Sequence, residues 1–385
     1  MARKCSTSSR ILTQLYRKFQ RAAKEMAGYP LSQCFDYSQL FRFLKFHINN
    51  LGDPFAKHWY YRINTLKIER KVIDRFAKLF HAPKGGYWGY VTNGGTEGNL
   101  YGLYAARELH PEGVVFYSDQ THYSVPKCLR LLRMEGVKVK SLPNGEVDCK
   151  ALQDAIVADG RTPIIFANIG TTMKGAVDNV VRIREILTDL KVKKFYIHCD
   201  AAFFGMILPF LPQLEAEPFD FRMGIDSIAI SGHKMIGTPF PCGVVLARKS
   251  NVQELGAHVK YVDVRDNTIT GSRNGLTPLF LWQELICAGH GKMKKLVEDC
   301  MELAGYAVKK FSEAGIGAWR NKNSMIVVFP RPSEKTVLKW QLAVEDGIAH
   351  LITLPHMSHR VIDCIVKQVV SDVKRGIHGR KAHLP

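Results

Sequence analysis

The chain has 385 residues, of which 46% are hydrophobic, 23% charged and 10% aromatic. That composition can bury a large core and excludes an intrinsically disordered chain. With 54 Lys and Arg against 35 Asp and Glu, the formal charge is +19, which raises the question of a nucleic-acid or membrane partner.

The distribution of charge answers it. Arg3, Lys4, Arg10, Arg17, Lys18, Arg21 and Lys24 crowd the first 28 residues, where Glu25 is the single acid, and the tail after Val373 is basic as well. No alternation of arginine with aromatic residues marks the middle, so specific nucleic-acid binding is not expected, and a solvated basic surface with some preference for anions is. The longest apolar stretch, Ala201 to Pro212, contains Gly205 and Pro209 and is too short and broken to span a bilayer. No membrane partner is expected. The 9 cysteines are scattered without a C-x-x-C pair, which points to free thiols in a reducing compartment, taken as the cytoplasm, and to no metal site. The Arg- and Ser-bearing N-terminus leaves organelle targeting as the lesser alternative to an exposed amphipathic arm.

Ile68, Val72, Ile73, Phe76, Leu79 and Phe80 recur at helical spacing, predicting a helix over Thr65 to Phe80 with Glu69, Arg70, Asp74 and Arg75 on its wet side. Beyond it, short β-branched and aromatic runs alternate with longer helical stretches. The runs are Trp88 to Val91, Gly113 to Tyr117, Pro163 to Ala167, Lys194 to His198, Ser227 to Ile230 and Cys242 to Ala247; the helices include Glu97 to Leu109 and Val181 to Leu190. Buried strands joined by helices predict a mainly parallel α/β sheet. After about Arg273 the pattern changes to a long helical region from Pro278 to Phe311. Strands near Met325 to Phe329 and His350 to Leu354 follow, with helices around Val337 to Ala343 and Val361 to Val373. The expected organisation is an N-terminal arm and dimerisation segment (1–60), a large α/β domain (61–273) and a small α+β C-terminal domain (274–385).

Four segments carry residues able to do chemistry, each just past a predicted strand. Thr92 to Asn99 (TNGGTEGN) combines a glycine turn with the start of a helix, whose backbone N–H groups can cradle an anion. Such a turn is also ordinary loop geometry, and it matches neither G-x-x-x-x-G-K-[ST] nor G-x-G-x-x-G. Asp119 to Ser124 contains His122, a residue type more often structural than catalytic. His198 to Ala202 sets Asp200 at the edge where parallel sheets bind ligands, with small alanines leaving room for a flat ring; an aspartate that only caps the next turn would read the same. Ser231 to Lys234 ends a buried strand, where lost solvation lowers a lysine's pKa and makes its amine a nucleophile for a carbonyl, although most loop lysines are simply solvated. Together the four stand in the order needed to hold pyridoxal 5'-phosphate. Lys234 would form the Schiff base, Asp200 keep the pyridine nitrogen protonated, His122 stack on the ring, and the glycine turn bind the phosphate.

The strings YWGYVTNGGTEGN (87–99), THYSVPK (121–127), FANIGTTMKGAVDN (166–179), YIHCDAAFFGMILPF (196–210), SGHKMIGTPFPCGV (231–244) and TITGSRNG (268–275) make the chain resemble the group II pyridoxal-phosphate amino-acid decarboxylases. Within them it is similar to the branch holding bacterial histidine decarboxylases and plant serine decarboxylases. The resemblance runs from about Gly28 to Val373 and implies a fold-type I, transferase-like homodimer. It implies that Ala202 packs against the cofactor ring, that Gly95, Thr96, Asn99, Ser231 and His233 surround the phosphate, that Thr172 lies near the phenolic oxygen, and that Tyr261 donates a proton to the substrate carbon.

Gly94-Gly95, Asp200 to Ala202, Gly205 to Phe210 and Trp319 to Ser324 resemble the histidine branch, whereas Asn49 to Pro54, His198-Cys199 and Phe204 resemble the serine branch. His47, Leu276 and Phe203 depart from both. His122, Phe203 and Phe204 are the expected substrate contacts. L-histidine is the expected substrate, with L-serine, giving ethanolamine, as the alternative. A non-catalytic anion-binding protein on a dead enzyme fold is the reading from another class; its only support is the basic charge.

Overall fold

In the computed structural model, residues 2–212, 218–253, 255–259 and 264–374 are described. The chain forms two compact units. The smaller takes the residues up to Cys34, Cys300–Arg320 and those from Met325 onward; the larger takes Phe35–Asp299 with Asn321–Ser324. Residues 35–60 and 274–299 therefore pack with the large unit and not with an arm or a C-terminal domain. The reason is local pairing. Asn49–Leu51 forms an antiparallel ribbon with Ser272–Asn274, and the apolar residues Leu279, Phe280 and Leu281 just beyond are buried.

Helix α1 (Ala2–Lys24) opens the chain. In the large unit, α2 (Leu66–Leu79) buries Leu66, Val72, Ile73, Phe76 and Ala77, as the spacing predicts. Glu69 corrects the expectation of a wet position, because it is fully buried. Its carboxylate accepts bonds from Asn50 Nδ2 and the Val91 N–H and pairs with Arg273, partners the chain brings from three distant segments.

The sheet follows as β1 (Tyr87–Thr92), α3 (Gly95–Leu109), β2 (Val114–Ser118), α4 (Ser124–Leu132), β3 (Gly136–Val139), α5 (Cys149–Asp159), β4 (Pro163–Asn168), α6 (Val180–Asp189), β5 (Tyr196–Asp200), β6 (Ser227–Ser231) and β7 (Gly243–Arg248). Its spatial order is β1-β7-β6-β5-β4-β2-β3. The strands from β6 to β3 are parallel, and β7 is antiparallel to both β6 and β1. Strands β4, β5 and β6 are buried along their whole length, which is why they read as continuous apolar runs. The link from β6 to β7 holds no helix, so the chain turns back antiparallel instead of crossing over. Edge strand β3 was not anticipated; it is four residues long (GVKV) and mostly open to solvent, so it carries no apolar run to detect.

The predicted helical region from Pro278 to Phe311 is interrupted: α7 (Thr277–Trp282) and α8 (Gly289–Glu313) are separated by a π-helical turn, Gln283–Cys287. From Cys300 onward α8 belongs to the small unit. There β8 (Ile326–Pro330), α9 (Glu334–Trp340), β9 (Ala343–Glu345), β10 (Ile348–Ile352) and α10 (His359–Lys374) complete the fold, with strand order β8-β10-β9, all antiparallel. Its core holds Phe311, Val327, Phe329, Trp340, Leu351 and Ile365. Helix α9 ends earlier than the predicted Ala343, at Gln341, whose φ of 49° is left-handed and stops the helical ladder.

Candidate functional site

The parallel strands β4, β5 and β6 deliver Asn168, Asp200 and Ser231 to one edge of the sheet, the edge where such sheets bind ligands. Above it lies a cavity of about 650 Å³, in the size range of a small-molecule site. Gly95, Thr96, Asn99, His122, Thr172, Asp200, Ala202, Ser231, His233 and Lys234 all line it. These residues come from five separate strand ends.

One wall is the N-terminus of α3. Gly94 turns the chain at φ 149°, a backbone that side-chain-bearing residues rarely adopt. Glu97 reaches back to accept from the Asn93 N–H at 2.9 Å and is held by the Tyr90 hydroxyl at 2.8 Å, which fixes the first turn and directs its N–H groups to the cavity as an anion cradle. A Cβ on Gly95 would stand 2.6 Å from Ser231 Oγ, so any side chain there would have to displace that hydroxyl from the cradle.

Asp200 ends β5 with both oxygens engaged: Oδ1 accepts from the Ala202 N–H at 3.0 Å and Oδ2 from Asn99 Nδ2 at 2.7 Å. Lys234 is half-buried, and its ammonium is pushed below the usual lysine range by lost solvation, with Asp200 opposing. That raises the neutral fraction, the form that attacks a carbonyl. His122 is half-buried, with Nδ1 2.7 Å from Ser124 Oγ. Burial pushes its pKa down; Asp200 opposes, while Lys234 and Lys127 add to the fall. Burial also lowers His233, whose Nδ1 lies 2.9 Å from the Cys242 carbonyl.

The donor set fits pyridoxal 5'-phosphate. The α3 cradle suits a phosphate, a carboxylate and an amine of lowered pKa share the wall, and Thr270 Oγ1 is buried there without a hydrogen-bond partner among the described residues, a polar position that a ligand would satisfy.

Phe203 and Phe204, expected at the substrate, are absent from the wall. Both are buried in the core, and Phe204 lies over Gly170, where any Cβ would collide with its ring. They support the sheet edge from behind, as their apolar character alone would allow. Tyr261 lies outside the described residues. Sequence reasoning missed Asn168 and Thr270. Asn168 had a usable signal, its place at the C-terminal end of a buried parallel strand, and its backbone and side-chain N–H groups both bond Asp178 Oδ2. Thr270 had none, because only the fold brings residue 270 to this edge. Among the described residues there is no cluster of His, Cys, Asp and Glu able to hold a metal, and no helix is long and apolar enough to cross a membrane.

Comparison with known proteins gives the same chemistry. Residues 43–329 match the pyridoxal-dependent decarboxylase conserved domain. The chain is 48% identical to a histidine decarboxylase of Pseudomonas fluorescens over 351 residues, covering 90% of this chain and 86% of that one. It is 48% identical to a histidine decarboxylase of Morganella morganii over 349 residues, covering 90% and 92%. Among solved structures it is similar to L-methionine decarboxylase from Streptomyces sp.590, with a TM-score of 0.87 and 27% identity over 95% of this chain and 94% of that one. A carboxy-lyase that uses pyridoxal phosphate accounts for a cavity that joins an anion cradle to a lysine of lowered pKa: the chain belongs to the pyridoxal-dependent decarboxylase family.

Proposed function

We propose that this enzyme decarboxylates L-histidine to histamine and CO2. The observation that carries the reading is the meeting of Lys234, Asp200, His122 and the α3 N-terminus on one cavity. The choice of substrate is supported by the 48% identity to histidine decarboxylases over nine-tenths of the chain.

In this reading Lys234 would supply the amine that holds the cofactor, a nucleophile favoured by its lowered pKa. Asp200, with its oxygens fixed by Ala202 and Asn99, would hold a proton on the cofactor's pyridine nitrogen. His122 and Ala202, both on the cavity wall, would pack against the ring. The α3 N-terminus would hold the phosphate with Thr96, Ser231 and His233, and Thr172 would serve the phenolic oxygen. When bound, pyridoxal phosphate supplies the electron sink for the pair released as the α-carboxylate leaves. Tyr261 remains the proposed donor of the proton that replaces CO2 on the substrate carbon.

We further propose a homodimer. The support is apolar surface: Ile11, Leu12, Tyr16 and Phe19 on α1, and Phe41, Leu44 and Phe46 in the large unit, are all well exposed, more than a monomer ordinarily leaves in water. The division into an arm and dimerisation segment (1–60), a large cofactor-binding domain (61–273) and a small C-terminal domain (274–385) stays a proposal. A cytoplasmic setting is supported by the free thiols of the eight described cysteines.

The deciding experiment is a competition: purified protein with pyridoxal phosphate and equimolar L-histidine and L-serine, product amines read by mass spectrometry. Histamine in large excess is expected. Ethanolamine in excess would reassign the substrate to serine.

A further inference from the structure

Behind Asp200, four hydrogen bonds run inward from Asn99, which lines the cavity, to His198, Ser227 and Tyr196, which do not. Asn99 Nδ2 donates to Asp200 Oδ2 at 2.7 Å, and Asn99 Oδ1 lies 3.0 Å from His198 Nε2. His198 Nδ1 lies 2.7 Å from Ser227 Oγ, which in turn accepts from the Tyr196 hydroxyl at 2.9 Å. Tyr196, His198 and Ser227 are wholly buried and Asn99 is nearly so.

The polarity of this chain follows from its end. A carboxylate only accepts, so the Asn99 amide must turn its NH2 to Asp200 and its oxygen to His198. His198 must then carry its proton on Nε2, leaving Nδ1 to accept from Ser227, whose lone pair takes the Tyr196 proton. Burial keeps this imidazole neutral, with its pKa pushed down to about 4. Its protonation would leave the Ser227 hydroxyl proton without a partner. Helix α3 comes close enough for Asn99 to reach only because Gly102 faces the His198 ring and Gly98 faces Ala229, where a Cβ on either would collide.

We propose that His198 and Ser227 are positioning residues: they lock the Asn99 amide in the one orientation that donates to Asp200, and so hold that carboxylate in place for the cofactor's ring nitrogen. This rests on the reading of Asp200 given above. Hydrogen-bonded partners of this kind fix the orientation of the groups they support.

The test compares Ser227→Ala, His198→Phe, His198→Gln and Asp200→Asn. Selectively 15N-labelled apoprotein reports the His198 tautomer directly: Nε2–H is expected in the wild type, and a mixture in Ser227→Ala. In the holoenzyme, Ser227→Ala and His198→Phe should lower kcat about tenfold with KM unchanged and weaken pyridoxal phosphate binding to the apoprotein. His198→Gln, whose amide can still donate to Asn99, should restore most of both. Ser227→Ala removes a single hydroxyl, so it serves if His198→Phe fails to fold. A Nδ1–H tautomer in the wild type, or wild-type kcat and cofactor affinity in Ser227→Ala while Asp200→Asn is inactive, would overturn the relay. An active Asp200→Asn would instead overturn the reading of Asp200, whatever the tautomer shows.

Discussion

Glu69 and Arg273 form an ion pair in which neither side chain meets solvent, at 0% and 2% exposure. They tie α2 to the short strand that pairs with Asn49–Leu51, and Glu69 also serves Asn50 and the Val91 N–H. Removing one partner strands a buried charge. Glu69→Ala is therefore expected to cost about 3–5 kcal/mol of stability, read as a lower urea midpoint at unchanged slope. A midpoint equal to the wild type would show that water repays the lost partner.

The buried amine of Lys234 makes a second prediction. Lys234→Ala should bind pyridoxal phosphate without the visible absorbance of the covalent enzyme and should form no amine product. An unchanged spectrum would remove the lysine from its proposed role. Asp200→Asn should keep the fold and lose at least about a hundredfold in kcat, the scale of a preorganised electrostatic contact.

Gly95→Ala should separate binding from folding. The added methyl meets Ser231 Oγ, a hydroxyl that can rotate away from the cradle at little cost to the backbone. Thermal stability of the apoprotein should hold, while the dissociation constant for pyridoxal phosphate should rise about tenfold. Loss of stability with intact affinity would contradict the cradle.

Acid should unfold the apoprotein partly through His198. Its folded pKa, about 4, lies below its ordinary 6.5, so the unfolded chain binds the proton first. The stability this neutral imidazole confers is complete above pH 6.5 and is lost as pH falls toward 4, roughly 2–3 kcal/mol by pH 4.5. Asp178 works in the opposite sense, since burial raises it to about 6 and its contribution grows on acidification. Urea titrations of wild type and His198→Gln at pH 7 and 4.5 cancel Asp178 and isolate the histidine. An equal loss in the two proteins would reject the assignment.

How far the sequence reached can be judged residue by residue. The runs that became β4, β5 and β6 were legible because strands buried on both faces must be continuously apolar. Gly95, His122, Asp200 and Lys234 were legible because each follows such a run, and the order of their chemistry admits few cofactors. Periodicity placed α2 correctly yet set Glu69 in solvent, since a helical wheel cannot see Arg273, 204 residues away. Phe203 and Phe204 looked like substrate contacts by adjacency to Asp200, but successive side chains leave the backbone in different directions, and both turned into the core. His198 was read only as part of a string. Its link to Asp200 passes through Asn99, 99 residues upstream, and its other nitrogen meets Ser227, 29 downstream; only the closing of α3 onto the sheet through Gly98 and Gly102 lets Asn99 reach it. The cofactor and the lysine proposed to hold it were thus legible in local sequence, because each signal sits at a strand end; the support behind them was decided by tertiary packing, because a buried hydrogen bond needs two partners whose distance no single segment encodes.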